Sequence, residues 1–174
     1  MTMRYVLGPE ITPALREALL RLWTDVTNAG GAVGLVPPVT TEDVTGLLDG
    51  HLRGIAEGNT LALTGFDERD RPAALAFLVR NDHRLMRHWV WLYRVMVHPG
   101  HQGRGTGREL MRQAEAAARS LDGVRGIRLT ARGGMGLERF YESCGYKEVG
   151  RVPDAIRVAE DDLRDDVIMW RPLT

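Results

Sequence analysis

Cysteine, net charge and long apolar runs are almost absent from this sequence, and each absence excludes a class of protein. Cys144 is the only cysteine in 174 residues, so no disulfide can form within the chain. Basic and acidic residues balance at 23 each and no basic run occurs, which argues against nucleic acid or an anionic membrane as a partner. No stretch reaches the roughly 20 apolar residues that span a bilayer.

The remaining composition is that of an ordinary globular protein, with 44% hydrophobic and 26% charged residues. A chain of 174 residues can bury one core but is short for two, so we predict a single domain over residues 1–174. The first residues lack the apolar segment of a signal peptide, and we therefore expect a cytoplasmic protein.

The most informative stretch runs from Trp89 to Met111. Its first part, Trp89–Val97, is aromatic and β-branched and predicts a strand, which His98-Pro99-Gly100 ends. A glycine-rich turn over 102–107 then leads into strong helix formers. A strand, a glycine turn and a helix in this order aim backbone N–H groups and the positive helix end at an anion. The stretch predicts a phosphate or pyrophosphate ligand.

The spacing of the glycines distinguishes between classes of phosphate ligand. A Walker loop would end in Gly-Lys-Ser/Thr, which is missing, and Gly103, Gly105 and Gly107 do not give the G-x-G-x-x-G dinucleotide pattern. The pattern present is Q-x-x-G-x-G, starting at Gln102 and preceded by V-x-V-x-P over 95–99. It resembles the acyl-CoA-binding motif of the GNAT acetyltransferase family; an ordinary strand-to-helix turn is the alternative.

The order of predicted elements extends this resemblance over the whole chain. The order is β-α-α-β-β-β-α-β-α-β-β, which predicts an α/β fold with a mixed, mostly antiparallel sheet and helices on both faces. The helical crossover makes Trp89–Val97 and Gly126–Ala131 a parallel pair, and the GNAT resemblance implies that this pair splays apart. We predict a loop over Pro153–Asp165 between the last two strands.

Two further segments carry the resemblance. The FYESCGY segment, Phe140–Tyr146, is similar to the second signature of the family. The Gly30–Val36 loop with its flanking helices is similar to the branch that acetylates small toxins and antibiotics. The whole Gly30–Pro38 loop is apolar yet rich in Gly and Pro, and we expect it to line a pocket.

The resemblance implies acetyl-CoA as cosubstrate and assigns residues to it. The thioester is expected near Val95–Met96, where an unpaired backbone N–H polarises its carbonyl. Tyr141 stands where the family commonly keeps a tyrosine as general acid, although it also fits a core aromatic. The residues expected to bind the cosubstrate are Val95, Met96, Val97, Gln102, Gly103, Arg104, Gly105, Thr106, Gly107 and Arg108.

The acceptor is expected to be a small-molecule primary amine, held by Val33, Trp91, Tyr93 and Thr130. Strand alternation places Trp89, Trp91, Tyr93, Val95 and Val97 on one face, without a carboxylate. The general base stays open between a water relay, His83 or His88, and an amine that is already neutral. His98 and His101 lack a third ligand, so no metal is expected.

Two other functions remain open: a non-catalytic acyl-CoA-binding relative, and an acetyltransferase for proteins or peptides. The sequence also allows a homodimer.

Overall fold

Seven strands form one sheet in the computed structural model, which describes residues 3–173. The strands are β1 (Arg4–Leu7), β2 (Thr60–Phe66), β3 (Pro72–Arg80), β4 (Val90–Val97), β5 (Gly126–Arg132), β6 (Lys147–Ala159) and β7 (Asp162–Pro172). The helices are α1 (Pro13–Asn28), α2 (Thr41–Ala56), α3 (Thr106–Arg119) and α4 (Leu137–Ser143). None of these helices is long and apolar enough to cross a membrane.

The sheet order is β1-β2-β3-β4-β5-β7-β6, and only β4 and β5 run parallel. The predicted fold class and element order are confirmed. β4 and β5 pair only at Val90–Ile127 and Trp91–Arg128, near the start of each strand. Beyond these pairs β5 continues along β7 alone. The confirmed splay therefore leaves the C-terminal half of β4 open on the β5 side.

Local capping signals start the first two helices. The Thr12 side chain accepts a hydrogen bond from the Leu15 N–H, with Pro13 in the first turn of α1. Thr40 and Asp43 form a reciprocal capping box at the start of α2. Both helices bury their apolar residues on one face of the sheet, and α3 packs on the other. The two clusters include Leu19, Trp23, Val44, Leu48, Phe77 and Met96 on the first face, and Leu78, Val90, Leu110, Ala114 and Ile127 on the second.

A bulge in β4 contradicts the predicted alternation of its side chains. Tyr93 pairs with Phe77 and Met96 pairs with Leu75, so Arg94 and Val95 together stand opposite one residue of β3. Arg94 has a positive φ of 55°. Because the bulge inserts one extra residue, side chains after it point to the opposite face from the one that strict alternation would give them. Tyr93 packs with the α1/α2 cluster, whereas residues 95 and 97 pack with the α3 cluster.

The predicted loop over Pro153–Asp165 is also wrong. β6 and β7 continue through it as a hairpin, with Ile156 opposite Arg164 and Ala159 opposite Asp162. Most residues of β6 are exposed, so the segment has no buried face and no apolar alternation from which a strand could be predicted. Polar contacts hold it instead: Arg151 bonds Asp165 at 2.9 Å, and the other Asp165 oxygen accepts from the Asp154 N–H at 3.2 Å.

Candidate active site

The backbone of the turn before α3 is uncovered at its glycines. Gly103 and Gly105 have φ values of 71° and 80°, a conformation that strongly favours glycine. Gly105 caps α3, and no side chain hydrogen-bonds to this helix end. A Cβ added at either glycine would meet nothing within 4 Å. The start of α3 is therefore uncapped by a side chain and open at these two glycines, and an uncapped helix N-terminus is suited to binding phosphate.

A cavity of about 510 Å³ extends from this turn to β4 and α4. It brings together most of the residues predicted to bind the cosubstrate, and Tyr141. Gly30, Gly31 and Ala32 of the loop predicted to line a pocket also contribute to it, as does Phe140 of the second signature, whereas Ala29 and Met135 were not singled out from the sequence. The lining residues are Ala29, Gly30, Gly31, Ala32, Val95, Met96, Val97, Gln102, Gly103, Gly105, Gly107, Arg108, Met135, Leu137, Phe140 and Tyr141.

The turn is held against β4 and α4 by specific contacts. The Gln102 side-chain amide donates to the Val97 carbonyl at 2.9 Å. Gly107 lies so close to Phe140 that an added Cβ would come within 3.3 Å of the ring. The contacts give each motif residue a structural role. Gln102 hydrogen-bonds the last carbonyl of β4, and Gly107, without a side chain, lets Phe140 of α4 pack against the start of α3.

Three predicted cosubstrate residues lie at the edge of this site. Arg104 and Arg108 are exposed, and the Arg108 guanidinium approaches the Ser143 hydroxyl at 3.4 Å. The Thr106 carbonyl accepts a hydrogen bond from the Tyr5 hydroxyl at 3.3 Å, which links α3 to β1. Of the three, only Arg108 lines the cavity.

Tyr141 contacts the cavity from a largely buried position. Its ring packs edge-on against Phe140, with centroids 5.2 Å apart, and lies 6.0 Å from the ring of Tyr146. Burial raises the pKa of Tyr141 well above its usual value, so the phenol keeps its proton at neutral and alkaline pH. Tyr141 therefore lines the cavity and keeps its phenol proton at neutral pH.

Trp91, Tyr93 and Thr130 lie on the sheet face that α1 and α2 cover. The Trp91 and Tyr93 rings stack with centroids 5.4 Å apart, and Trp91 Nε1 donates to Asn81 at 3.1 Å. Thr130 is exposed on β5. Val33 is placed differently: its side chain is buried in the α1/α2 cluster, and its carbonyl accepts from Trp23 Nε1 at 3.0 Å.

Sequence reasoning missed two arginines on this same face, Arg94 and Arg128. The Arg94 guanidinium lies 5.4 Å from the centre of the Trp23 ring, and that of Arg128 lies 4.5 Å from Trp91. Their Nε atoms are buried, and neither has a hydrogen-bond partner among residues 3–173. The available signal was an arginine inside the otherwise apolar run WVWLYRVMV.

None of the candidate histidines reaches the cavity. His83 and His88 are exposed before the start of β4, and the seven residues from Trp89 to Val95 span about 20 Å of extended chain. His98 and His101 face Asp25 and Asp67 at 3.6 and 3.8 Å. Within the described part of the chain, no three His, Cys, Asp or Glu residues are grouped to hold a metal ion.

Comparison with known proteins identifies the family of the chain. The model of the Acetyltransferase (GNAT) family matches residues 39–146, which is more than half of the chain. The protein therefore belongs to the GNAT acetyltransferase family.

Solved structures share the fold over nearly the full length. A protein provisionally named phosphinothricin N-acetyltransferase gives a TM-score of 0.80 at 19% identity, covering 99% of both chains. YncA of Salmonella typhimurium, provisionally named an acetyltransferase and solved with acetyl-CoA, gives 0.76 at 20% identity, covering 100% of this chain and 95% of its own. Spermidine N-acetyltransferase of Vibrio cholerae, solved with CoA and spermine, gives 0.72 at 15% identity, covering 97% and 95%.

Proposed function

We propose that this protein is an acetyl-CoA-dependent N-acetyltransferase that transfers the acetyl group directly to the primary amine of a small molecule. The observation that carries the proposal is one cavity that joins the glycine turn of α3, the open half of β4 and Tyr141. The matches to YncA and to the spermidine enzyme support the choice of cosubstrate and of a small amine.

The residues present fit acetyl-CoA, which supplies an acetyl thioester. The backbone N–H groups over 103–107 would hold its phosphates, because two left-handed glycines expose them and no side chain occupies the space. Arg104 and Arg108 would add positive charge at the edge. The amide groups of the pantetheine arm would pair with β4 beyond Trp91, where β5 has separated.

The chemistry then falls to the backbone of residues 95–96 and to Tyr141. An N–H next to the bulge would stabilise the negative charge that develops on the thioester oxygen. Tyr141 would donate a hydrogen bond, and then a proton, to the departing thiolate. Since the pKa of Tyr141 is raised, the phenol keeps its proton at the alkaline pH at which more of the amine becomes neutral.

The acceptor amine loses its proton to water or arrives already neutral. His83 and His88 are too far from β4's open half to serve as the base. His51 of α2 stacks on Phe77, on the sheet face that α1 and α2 cover, and its pKa is lowered to about 4 by burial and by the Arg94 charge. A group with this pKa is neutral at pH 7 but too weak a base to deprotonate an alkyl ammonium.

Calorimetric titration with acetyl-CoA, followed by a thiol-release assay over a panel of amines, tests the proposal. We expect saturable binding and thiol release with small primary amines. Binding without thiol release from any amine between pH 6 and 9 would identify a non-catalytic relative instead. Release only with peptides would shift the acceptor class from small molecules to proteins.

A further inference from the structure

The entry turn, residues 98–101, leads from β4 into the glycine turn and borders a second cavity. Gln102 and Gly103 of the glycine turn line the cosubstrate cavity, whereas His98 and His101 line the second one, of about 390 Å³. The two cavities share no lining residue, and residues 98–105 are all exposed or half-buried. Packing therefore contributes little to the position of this segment, and polar contacts have to fix it.

His98 shapes the entry turn through its ring and its backbone. Its Nδ1 accepts a hydrogen bond from the Gly100 N–H at 3.1 Å and so caps the short 3₁₀ turn over Pro99–His101. The His98 N–H donates to the Ala73 carbonyl beside it at 2.8 Å, and the His98 carbonyl accepts from the His101 N–H at 2.8 Å. One residue therefore joins the end of the sheet to the turn that follows.

The other ring nitrogen of His98 faces α1. Its Nε2 lies 3.6 Å from the Asp25 carboxylate, which is an electrostatic contact rather than a hydrogen bond. A carboxylate at this place favours the proton on Nε2 and leaves Nδ1 free to accept from Gly100. Asp25 belongs to the last turn of α1, where its carbonyl accepts from the Ala29 N–H at 3.0 Å, and Ala29 lines the cosubstrate cavity. His98 thus connects two walls of that cavity.

His101 holds the far end of the entry turn. Its Nε2 lies 3.8 Å from the carboxylate of Asp67, whose side chain is only 6% exposed. Burial tends to raise the pKa of Asp67, but hydrogen bonds from Arg71 and from the Arg69 N–H outweigh it and lower the pKa, so the carboxylate is charged. The residue directly before Gln102 is therefore held to the turn between β2 and β3.

We propose that His98 is a positioning residue for the cosubstrate. Its Nδ1 cap holds the entry turn, and through it the N–H groups of the glycine turn, in the arrangement that binds the phosphates of acetyl-CoA. His98 does not line the cosubstrate cavity, so it acts through the turn rather than by contact. The inference rests on the proposed function for the identity of the ligand. A turn that the ligand itself must order binds more weakly, because the ordering consumes part of the binding free energy.

The test removes the cap and then restores it. His98→Ala deletes both ring nitrogens, whereas His98→Asn keeps a side-chain acceptor, because Asn accepts from the backbone N–H two residues on. We expect His98→Ala to weaken acetyl-CoA binding in calorimetry by roughly 5- to 30-fold, the effect of a lost side-chain cap expressed as an equilibrium constant. His98→Asn should stay within about twofold of the wild type.

His83 provides a matched control. Its Nδ1 accepts from the Leu85 N–H at 3.3 Å and caps the 3₁₀ turn over Arg84–Met86, before β4 and outside the cavity lining. His83→Ala removes the same kind of cap from the same kind of turn and should leave the affinity unchanged. In thiol-release kinetics, His98→Ala should raise the KM of acetyl-CoA and keep both kcat and the KM of the amine, a split that a general loss of stability would not give.

The outcomes separate the cap from general stability and from the proposed function. An unchanged affinity in His98→Ala, equal losses in the Ala and Asn variants, or a fall in kcat alone overturns the inference and leaves the N-acetyltransferase. Should His98→Ala fail to fold, His98→Gln takes its place, because its longer side chain does not form the same two-residue bond. If acetyl-CoA binds but no amine releases thiol, only the proposed function fails, and the affinities still decide the inference. If the wild type binds no acetyl-CoA, both fail.

Discussion

Replacing Gly105 by Asp tests the phosphate assignment most directly. Gly105 has a φ of 80° at the start of α3, and a side chain there would meet nothing within 4 Å. The substitution therefore adds strain and a charge but no clash. Asn has the same shape, tolerates the left-handed conformation equally and carries no charge. The difference between Gly105→Asp and Gly105→Asn isolates the charge.

Coulomb's law gives the size of the effect. Two unit charges about 5 Å apart repel by roughly 3 kcal/mol at an effective dielectric constant near 20, which corresponds to about 100-fold in affinity. We expect Gly105→Asn to weaken acetyl-CoA binding by less than tenfold, and Gly105→Asp by a further factor of about 100. Calorimetry measures both, with Tm as the check on folding.

Added salt should reduce the difference between the two variants, since the site is open to solvent. Equal affinities of the Asp and Asn variants, in proteins of equal Tm, would refute the view that a phosphate lies at this turn.

Three further predictions follow from buried groups. Tyr141→Phe should lower kcat by roughly 100- to 10,000-fold and change the acetyl-CoA affinity by no more than a few-fold. The control is Tyr146→Phe, whose ring lies 6.0 Å away and outside the cavity lining, and it should keep the wild-type kcat. Equal rates in both variants would show that Tyr141 has only a packing role. For a single amine acceptor, kcat/KM should rise with pH up to about 9, because the acceptor becomes neutral while Tyr141, whose pKa is raised, keeps its proton. A fall in kcat/KM above pH 8 in a folded protein would contradict this. The pKa of His51 is lower in the folded protein than in the unfolded chain. The contribution of the neutral imidazole to the free energy of unfolding is therefore complete above pH 6.5 and is lost as the pH falls towards 4. The loss is about 2 kcal/mol after allowance for partial exposure. Urea unfolding at pH 7.5 and 5 should show this loss in the wild type and a smaller one in His51→Phe; identical losses would exclude His51 as its source.

Features that depend on a few neighbouring residues could be predicted from the sequence. The caps at Thr12 and Thr40 involve partners three residues away, and the structure has both. The glycine turn before α3 is equally local, because the positive φ values and the exposed N–H groups arise within six residues. The parallel pairing of β4 and β5 followed from the crossover rule, which applies to any strand, helix and strand in one sheet.

Features that depend on contacts between different elements could not be predicted in this way. The β6–β7 hairpin has no buried face, so nothing in its sequence signals a strand until Asp165 meets Arg151 and the Asp154 backbone. Val33 was predicted to bind the acceptor because its loop is apolar. Its side chain is instead buried in the α1/α2 cluster, where its carbonyl accepts a hydrogen bond from Trp23.

The β4 bulge shows the same limit at the site itself. Its position depends on how Tyr93 and Met96 align with β3, and a one-residue shift in that register exchanges the faces of the strand. Only the tertiary structure could therefore show that Arg94 leaves the α3 side and joins Arg128 on the face that α1 and α2 cover, since no local pattern encodes which of two faces an extra residue will take.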